Sequence, residues 1–198
     1  MIFSEDGPQC AQAAMTIETP IGPLAATASE RGILSLRPGM EHRAWASAAA
    51  AARHLDRLAD AISRYFQTGR WEGEIPVDYG VIPQWRNRIY EALRRVPSGR
   101  LVSYGALAAA AGMPKAARAA AAAMRMNRLL IIVPCHRVVE ASGRLGGFSA
   151  GLDLKIALLR REGIRLQPGR VPADSVAGIR EMIAWAKDAQ FTPEVSTL

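Results

Sequence analysis

Short apolar stretches separated by glycine and proline open the chain. Residues 15–24, 25–28 and 32–37 are such stretches, and their lengths and separators are typical of an antiparallel hairpin. Over residues 44–66 the apolar positions recur at steps of three and four, which predicts a helix that ends at Gly69.

A segment rich in glycine and proline, residues 72–84, is interpreted as a linker between two domains. After it, apolar residues at helical spacing predict a helix over residues 84–96. The chain therefore divides into a part with short strands and one helix, and a part that begins with a helix.

Two short helices joined by a glycine-containing turn form the next pattern. Ser103 is suited to cap the first helix, and Gly112 to end it in the left-handed conformation. Pro114 is suited to the first position of a second helix, over about residues 115–126. Helix-turn-helix units and plain helical hairpins share this pattern, so it leaves both open.

The second of these helices is basic and has small side chains. Arg118 and Arg125 lie two turns apart and so on a similar face, with Arg128 following. The alanines between them allow the helix backbone to approach another surface closely. The helix is a candidate nucleic-acid-facing element.

An apolar run, residues 129–133, predicts a buried, extended segment that ends at Pro134. Cys135 and His136 follow directly. A thiol becomes a nucleophile where a base or positive charge stabilises its thiolate. An inert core cysteine fits the same pattern, since neighbours along an extended chain can point away from each other.

Near the C-terminus, helical spacing predicts an amphipathic helix. It is either docked on the body of the protein, or binds a partner or shapes a pocket. The residues that define the spacing are Val176, Ile179, Ile183 and Ala186, with Met182 and Trp185 beside them.

Charge changes this picture, because the formal net charge of +7 is unevenly placed. Residues 81–164 hold 14 basic and 4 acidic side chains, whereas residues 1–80 hold 7 and 10. This favours a polyanionic partner for the middle of the chain, with a solubilising charge excess as the alternative.

Composition excludes several classes of protein. Of the 198 residues, 49% are apolar and 22% charged, which is ordinary globular usage and excludes wholesale disorder. Two cysteines, Cys10 and Cys135, cannot build a disulfide framework, so a reducing, cytoplasmic setting is expected. No apolar run reaches 18 residues, and the acidic N-terminus does not resemble a secretory signal, so no membrane association is expected.

Several segments, in order along the chain, resemble one family. Residues 132–139 read IVPCHRVV and are similar to the active-site signature of the O6-alkylguanine-DNA alkyltransferases. Residues 19–24 resemble that family's N-terminal strand pair, and residues 85–104 the segment that leads into its DNA-binding unit. Residues 108–118 resemble its helix-turn-helix with the arginine finger, and residues 143–163 its substrate loop and final helix.

The resemblance covers about residues 15–165 and implies an α+β protein. A small ribonuclease-H-like domain (15–80) would precede a mostly helical domain (81–165) with a helix-turn-helix, winged-helix-like DNA-binding unit. Residues 1–14 would be disordered, and residues 166–198 a helical extension.

The implied activity is direct DNA repair. An alkyl group on O6 of guanine, or O4 of thymine, would move irreversibly to Cys135 in a single turnover without a cofactor. The implied partner is double-stranded DNA that contains alkylated bases, bound by a monomer.

The resemblance also assigns catalytic roles. Cys135 would be the nucleophile, His136 would take its proton through a water, and Glu162 would orient His136. Asn127 would brace the turn beside the cysteine. Tyr104 would hydrogen-bond N3 of the departing guanine.

In DNA binding, Arg118 would fill the gap that the flipped base leaves, and the helix would lie in the minor groove. The backbone of Val138 would read the base edge, and the loop at Phe148 and Ser149 would close over it. The remaining residues assigned to DNA are Lys115, Ala117, Ala119, Arg125 and Arg128, and Met124 is assigned to the base pocket.

Three departures from the family bear on the shape of the pocket. Ala121 and Ala122 stand where the family usually has glycines, Arg128 where proline is usual, and Phe148 where tyrosine is common. Some members bind zinc in the N-terminal domain. Here Cys10, His42 and His54 match no metal motif, so no metal site is expected.

Three functions are compared on these grounds. An active alkyltransferase is favoured, because Cys135, His136 and Glu162 are all present. A non-catalytic lesion sensor that flips damaged bases is the alternative, as is a relative specialised for a bulkier adduct. A regulator that uses alkylated Cys135 as a signal would need a further sensing domain, for which residues 1–14 are too short.

Overall fold

The first domain is an antiparallel sheet covered by one helix. The computed structural model describes residues 12–41, 44–80 and 82–188. The strands are β1 (Ala13–Ile17), β2 (Leu24–Ser29), β3 (Gly32–Pro38) and β4 (Trp45–Ala46), in the order β3-β2-β1-β4. β1 begins before residue 15 because Ala13 is buried and pairs with both Ala28 and Ala46.

Helix α1 (Ala49–Thr68) packs on this sheet through its apolar stripe, which includes Leu55, Leu58 and Ile62. The prediction that this helix spans residues 44–66 is wrong at its start, because Trp45 and Ala46 pair with β1 instead. The helix ends as predicted at Gly69, whose φ of +73° is the left-handed conformation that favours glycine.

The predicted linker packs against the first domain. Ile33 and Val77 form a parallel bridge, and the buried Asp78 accepts hydrogen bonds from Ser29 and Arg31. Helix α2 (Gln84–Arg94) then begins the second domain. It starts at the predicted residue and ends two residues before the predicted end at residue 96.

The second domain is mostly helical, with a small parallel sheet in the order β6-β5-β7. Its elements after α2 are β5 (Leu101–Ser103), α3 (Tyr104–Ala110), α4 (Ala117–Arg125), β6 (Val138–Val139), α5 (Leu152–Arg161), β7 (Val176–Ala177) and α6 (Ile179–Asp188). Together the two domains confirm the predicted α+β fold.

Helices α3 and α4 form the helix-turn-helix. The Ser103 hydroxyl accepts a hydrogen bond from the Ala106 amide, as expected of a cap, and Gly112 has a φ of +76°. The prediction that α4 begins at Pro114 is wrong. Lys115 has a φ of +70°, which a right-handed helix cannot contain, so Pro114 and Lys115 form a turn and α4 begins at Ala117.

The apolar residues 129–133 are buried, but the prediction that they are extended is wrong. They form a compact turn in which the Val133 amide donates to the Leu129 carbonyl and Ile131 has a φ of +69°. Leu36 of β3 holds the turn, donating to the Arg128 carbonyl and accepting from the Leu130 amide. The first domain therefore supports the segment that leads to Cys135.

The C-terminal extension docks on the second domain. β7 pairs with β5, and Arg100 contacts both the Asp174 carbonyl and the Glu181 carboxylate. Two of the residues that defined the predicted helical spacing do not face the body of the protein. Ile179 and Ile183 are exposed, whereas Met182 is buried and Trp185 packs on the core, because the helix turns these two toward the body. Within the described residues, no helix has the length and apolar character needed to cross a membrane.

Candidate active site

Cys135 begins a short 3₁₀ helix, Cys135–Arg137, directly after the buried turn. Cys135 is 6% exposed. Asn127 donates from Nδ2 to the Cys135 sulfur at 3.0 Å and to the Val133 carbonyl at 2.9 Å. The Leu129 amide donates to Asn127 Oδ1. One amide side chain thus fixes the turn and the thiol together.

The surroundings of the thiol act on its charge in opposite directions. Burial raises the pKa of Cys135 above its ordinary value, so the resting group is a neutral thiol. The hydrogen bond from Asn127, the charge of Lys155 and the amides of Cys135 and His136 lower the pKa in opposition. The site can therefore support a thiolate once a base removes the proton.

His136 is fully buried, and its Nε2 lies 2.8 Å from Glu162 Oε1. Burial lowers the pKa of His136, and the charge of Glu162 opposes that shift, leaving a neutral imidazole. With Nε2 donating to the carboxylate, Nδ1 carries the lone pair and is the nitrogen able to accept a proton. Nδ1 is buried and has no hydrogen-bond partner among the described residues.

Glu162 follows the last turn of α5 and accepts hydrogen bonds from four residues. They are His136, Arg137, Tyr65 and the Gly99 amide. Burial by itself would raise the pKa of Glu162, but His136 and Arg137 outweigh it and hold the pKa well below its usual range. The carboxylate is therefore charged throughout the physiological range.

Sequence reasoning assigned no role to two of these partners, Arg137 and Tyr65. Arg137 is 2% exposed and donates also to Ser98 Oγ at 2.8 Å. A basic residue between buried hydrophobic neighbours was the available signal, since a buried guanidinium requires a carboxylate. Tyr65 gave no comparable signal, because 97 residues separate it from Glu162.

Lys155 is the third residue that the sequence analysis missed. It is fully buried, and Nζ donates to the carbonyls of Val138 at 2.6 Å and Leu145 at 2.5 Å. Burial lowers its pKa to about 8. Its spacing of three and four residues from Leu158 and Leu159 was the signal, because it places a lysine on the buried stripe of α5.

Tyr104, the first residue of α3, faces the loop that follows β6. Burial raises its pKa, as do the charges of Cys135 and Glu140. A Cβ on Gly146 would lie 3.5 Å from the Tyr104 hydroxyl and 3.6 Å from Glu140 Cγ, so the loop runs directly beside that hydroxyl. Tyr104 therefore remains a protonated donor.

Phe148 and Ser149, which are predicted to close over a base, follow Gly146 in the loop beside Tyr104. The Phe148 ring centroid is 6.0 Å from Lys155 Nζ, and Ser149 is exposed. The Val138 carbonyl already accepts from Lys155, so a base edge would share that oxygen through its second lone pair. Met124 is 7% exposed and belongs to the core.

The helix-turn-helix presents a basic face. Its exposed basic side chains are Lys115, Arg118, Arg125 and Arg128, and Ala117 and Ala119 beside them are partly exposed. The opposite face of α4 is buried through Ala120 and Ala123. The face is suited to a polyanion.

Of the three candidate zinc ligands, only His54 lies within the described residues. Cys10 and His42 lie outside the described residues, and His54 Nε2 is 3.0 Å from the Glu30 carbonyl. No three His, Cys, Asp or Glu side chains in the described ranges are gathered as a metal site.

Two family models match the chain, one in each domain. The model described as "6-O-methylguanine DNA methyltransferase, ribonuclease-like domain" matches residues 14–79. The one described as "6-O-methylguanine DNA methyltransferase, DNA binding domain" matches residues 84–164.

Individual proteins are similar over most of their length. The "Methylated-DNA--protein-cysteine methyltransferase" of Homo sapiens is 34% identical over 92% of this chain and 94% of its own. The "DNA base-flipping protein" of Thermus thermophilus is 41% identical over 75% of this chain and 99% of its own. The crystal structure of Mycobacterium tuberculosis OGT in complex with DNA has a TM-score of 0.63, at 35% identity, over 80% and 94% of the two chains.

Proposed function

Since the chain belongs to the 6-O-methylguanine DNA methyltransferase family, we propose that it repairs DNA by moving an alkyl group from O6 of guanine to Cys135. O4 of thymine offers the same chemistry and is the second substrate. The observation that carries the proposal is the buried arrangement of Asn127, Cys135, His136 and Glu162. It places a nucleophile against a bracing amide and a base against an orienting carboxylate, and the nucleophile and the base are neighbours in the chain.

The transfer is a single displacement. The Cys135 proton passes to Nδ1 of His136, through a bridging water, while Glu162 balances the imidazolium that forms. Sγ attacks the alkyl carbon, and the bond between that carbon and O6 breaks. The product is a thioether, which no group of the site can hydrolyse, so each molecule acts once.

Departure of guanine is assisted by Tyr104. The electron pair of the broken bond remains on the base, so a donor beside the base acts where negative charge develops. The raised pKa of Tyr104 keeps its hydroxyl protonated for this role, at N3 of the guanine. Lys155 stabilises the thiolate on the other side of the reaction.

DNA is bound through the basic face of α4. The lesion must leave the stack to reach a sulfur that is almost fully buried, and flipping costs about a few kcal/mol. We propose that Arg118 fills the vacated position, and that Lys115, Arg125 and Arg128 contact phosphates, with Ala117 and Ala119 allowing close approach. The loop at Phe148 and Ser149 closes over the base, and a single molecule acts on each alkylated base.

Intact-protein mass tests the proposal directly. The protein is incubated with a duplex that contains one O6-methylguanine, beside a Cys135→Ala control. A gain of one methyl group, absent from the control, is expected. Lesion-selective binding without any mass gain would instead identify a sensor, and the same assay with bulkier adducts would identify a specialised transferase.

A further inference from the structure

A side chain of the first domain reaches the catalytic carboxylate of the second. Tyr65, in the last turn of α1, is fully buried. Its hydroxyl donates to Glu162 Oε1 at 2.9 Å. The same oxygen lies 2.8 Å from His136 Nε2 and accepts from Arg137 at 2.7 Å.

We propose that Tyr65 is a positioning residue that sets the basicity of His136 through Glu162, so that the docked first domain completes the proton-accepting site. The effect on alkyl transfer rests on the function proposed above, whereas the effect on the imidazole does not.

The physical basis is that Tyr65 and His136 share one acceptor, Glu162 Oε1. Each donor to Glu162 Oε1 draws electron density from it and weakens its hydrogen bond to His136. A weaker bond to the carboxylate stabilises the imidazolium less, so the Tyr65 hydroxyl lowers the proton affinity of His136. Burial and the charge of Glu162 raise the pKa of Tyr65 well above its usual range, so this donor is constant at every working pH.

Other charged groups face His136 from the elements packed around it. They are Glu162 after α5, Arg137 on the same 3₁₀ helix, and Lys155 on α5, with the Cys135 thiol adjacent in the chain. Among the described residues that bond Glu162, Tyr65 alone comes from the first domain. Removing the Tyr65 hydroxyl therefore removes one hydrogen bond to Glu162 and leaves the charged groups around His136 in place.

The end of α1 is held against the end of α5 by close packing. A Cβ on Gly69 would overlap the carbonyl oxygen of Arg161, the residue before Glu162. Tyr65 also packs edge-on against Trp71, with ring centroids 6.2 Å apart, and the Trp71 amide donates to Ser98 Oγ. Ser98 in turn accepts from Arg137. The hydroxyl is thus fixed by backbone and side-chain contacts from both domains.

The test compares Tyr65→Phe with Tyr79→Phe in the full chain. Tyr79 is the matched control, since its hydroxyl also donates to a glutamate, Glu91, at 3.0 Å, and this pair lies outside the hydrogen bonds of the site. The pKa of the His136 ring is measured by NMR of histidine-labelled protein. With three histidines in the chain, assignment needs only a His136→Gln spectrum.

Tyr65→Phe is expected to raise the His136 pKa by about half a unit to one unit, the equivalent of one hydrogen bond. The acid limb of single-turnover transfer should move upward by the same amount, and Tyr79→Phe should move neither. An unchanged or lowered His136 pKa in Tyr65→Phe, or an equal shift in Tyr79→Phe, overturns the proposal.

A second substitution protects the test against misfolding. 3-Fluorotyrosine at position 65 keeps the shape of the ring and makes its hydroxyl a stronger donor, so the His136 pKa should fall. A rise, or no change, overturns the proposal. The NMR titration needs no substrate, so it tests the effect of Tyr65 on His136 whether or not the protein transfers alkyl groups. Wild-type protein that transfers no methyl group would refute the proposed function alone.

Discussion

Nζ of Lys155 lies 2.6 Å from the carbonyl oxygen of Val138, so a buried ammonium joins α5 to the strand that follows the reactive cysteine. The same group donates to Leu145 in the loop beside Tyr104. One lysine thus connects two walls of the site and supplies positive charge to the thiol between them.

Lys155→Met should slow alkyl transfer, because the Cys135 thiolate loses the buried positive charge that lowers its pKa. It should also change the pH dependence of stability. The folded pKa of about 8 is below the ordinary value, so the folded state binds fewer protons between pH 8 and 10, and this group makes the free energy of unfolding rise with pH. Urea titrations at pH 8, 9 and 10 measure the rise. The raised pKa of the Cys135 thiol opposes this rise over the same range, so the slope should be lower in Lys155→Met than in wild type and unchanged in the exposed control Lys115→Met.

Glu162→Gln should destabilise the fold as well as slow transfer. The substitution leaves the buried Arg137 guanidinium without its counter-charge, a loss of about 3–5 kcal/mol. The depressed pKa of Glu162 makes its stabilisation complete above the unfolded value of about 4, and that stabilisation is lost as pH falls through the folded value. The difference between the unfolding free energies of wild type and variant should be constant from pH 7 to about pH 5 and should narrow from there to pH 3. Parallel curves would contradict the prediction.

Gly69→Ala should cost more stability than the same change at Gly73. Both glycines have positive φ, +73° and +86°, but only the Cβ at position 69 meets another chain segment, the Arg161 carbonyl. We expect a loss of about 1–2 kcal/mol for Gly73→Ala and at least about 3 kcal/mol for Gly69→Ala, measured by urea unfolding. Equal losses would show that the contact is not tight.

Arg118→Ala should reduce transfer from duplex DNA about ten- to a hundredfold, because the cost of base flipping is no longer offset. Transfer from a single-stranded oligonucleotide, which needs no flipping from a duplex, should change little. Arg165→Ala, which removes an exposed arginine outside the helix-turn-helix, is the control for lost charge. Single-turnover rates of transfer from the duplex and from the single strand test this prediction. An equal loss of rate on both substrates would show that Arg118 does not act in base flipping.

Glu140→Gln should alter the choice between alkyl groups. The charge of Glu140 raises the pKa of Tyr104, so the exposed Glu140 carboxylate, which also accepts from Ser142, acts electrostatically on the same site. We expect transfer of an anionic carboxymethyl group, relative to methyl, to increase about two- to fivefold. Competition between the two lesions in one duplex pool measures the ratio, with Glu91→Gln as the control.

Sequence patterns correctly predicted the structural features that depend only on neighbouring residues. The Ser103 cap, the left-handed Gly69 and Gly112, and the helical spacing of α1 each follow from residues within one or two turns. The family signature then identified Cys135, His136, Glu162 and Asn127, and the structure pairs Asn127 with Cys135 and His136 with Glu162.

The remaining features depend on distant contacts. Residues 129–133 read as a strand, but Leu36 of the first domain holds them in a turn that accepts a left-handed isoleucine. The buried face of α6 is chosen by packing on the body, which turns Met182 inward and leaves Ile183 exposed. Tyr65 gave no local signal at all, because its role is defined entirely by a partner in the other domain.

The separation of 97 residues between Tyr65 and Glu162 has a consequence during protein synthesis. Domains fold as units from the N-terminus, at about 5–20 residues per second, so α1 emerges roughly 5–20 s before the carboxylate that it contacts. Until then, a nascent chain that already carries Cys135 lacks the anchored base needed to activate it. We therefore expect the thiol to become reactive only after Glu162 has been made, so that an unfinished protein is not consumed.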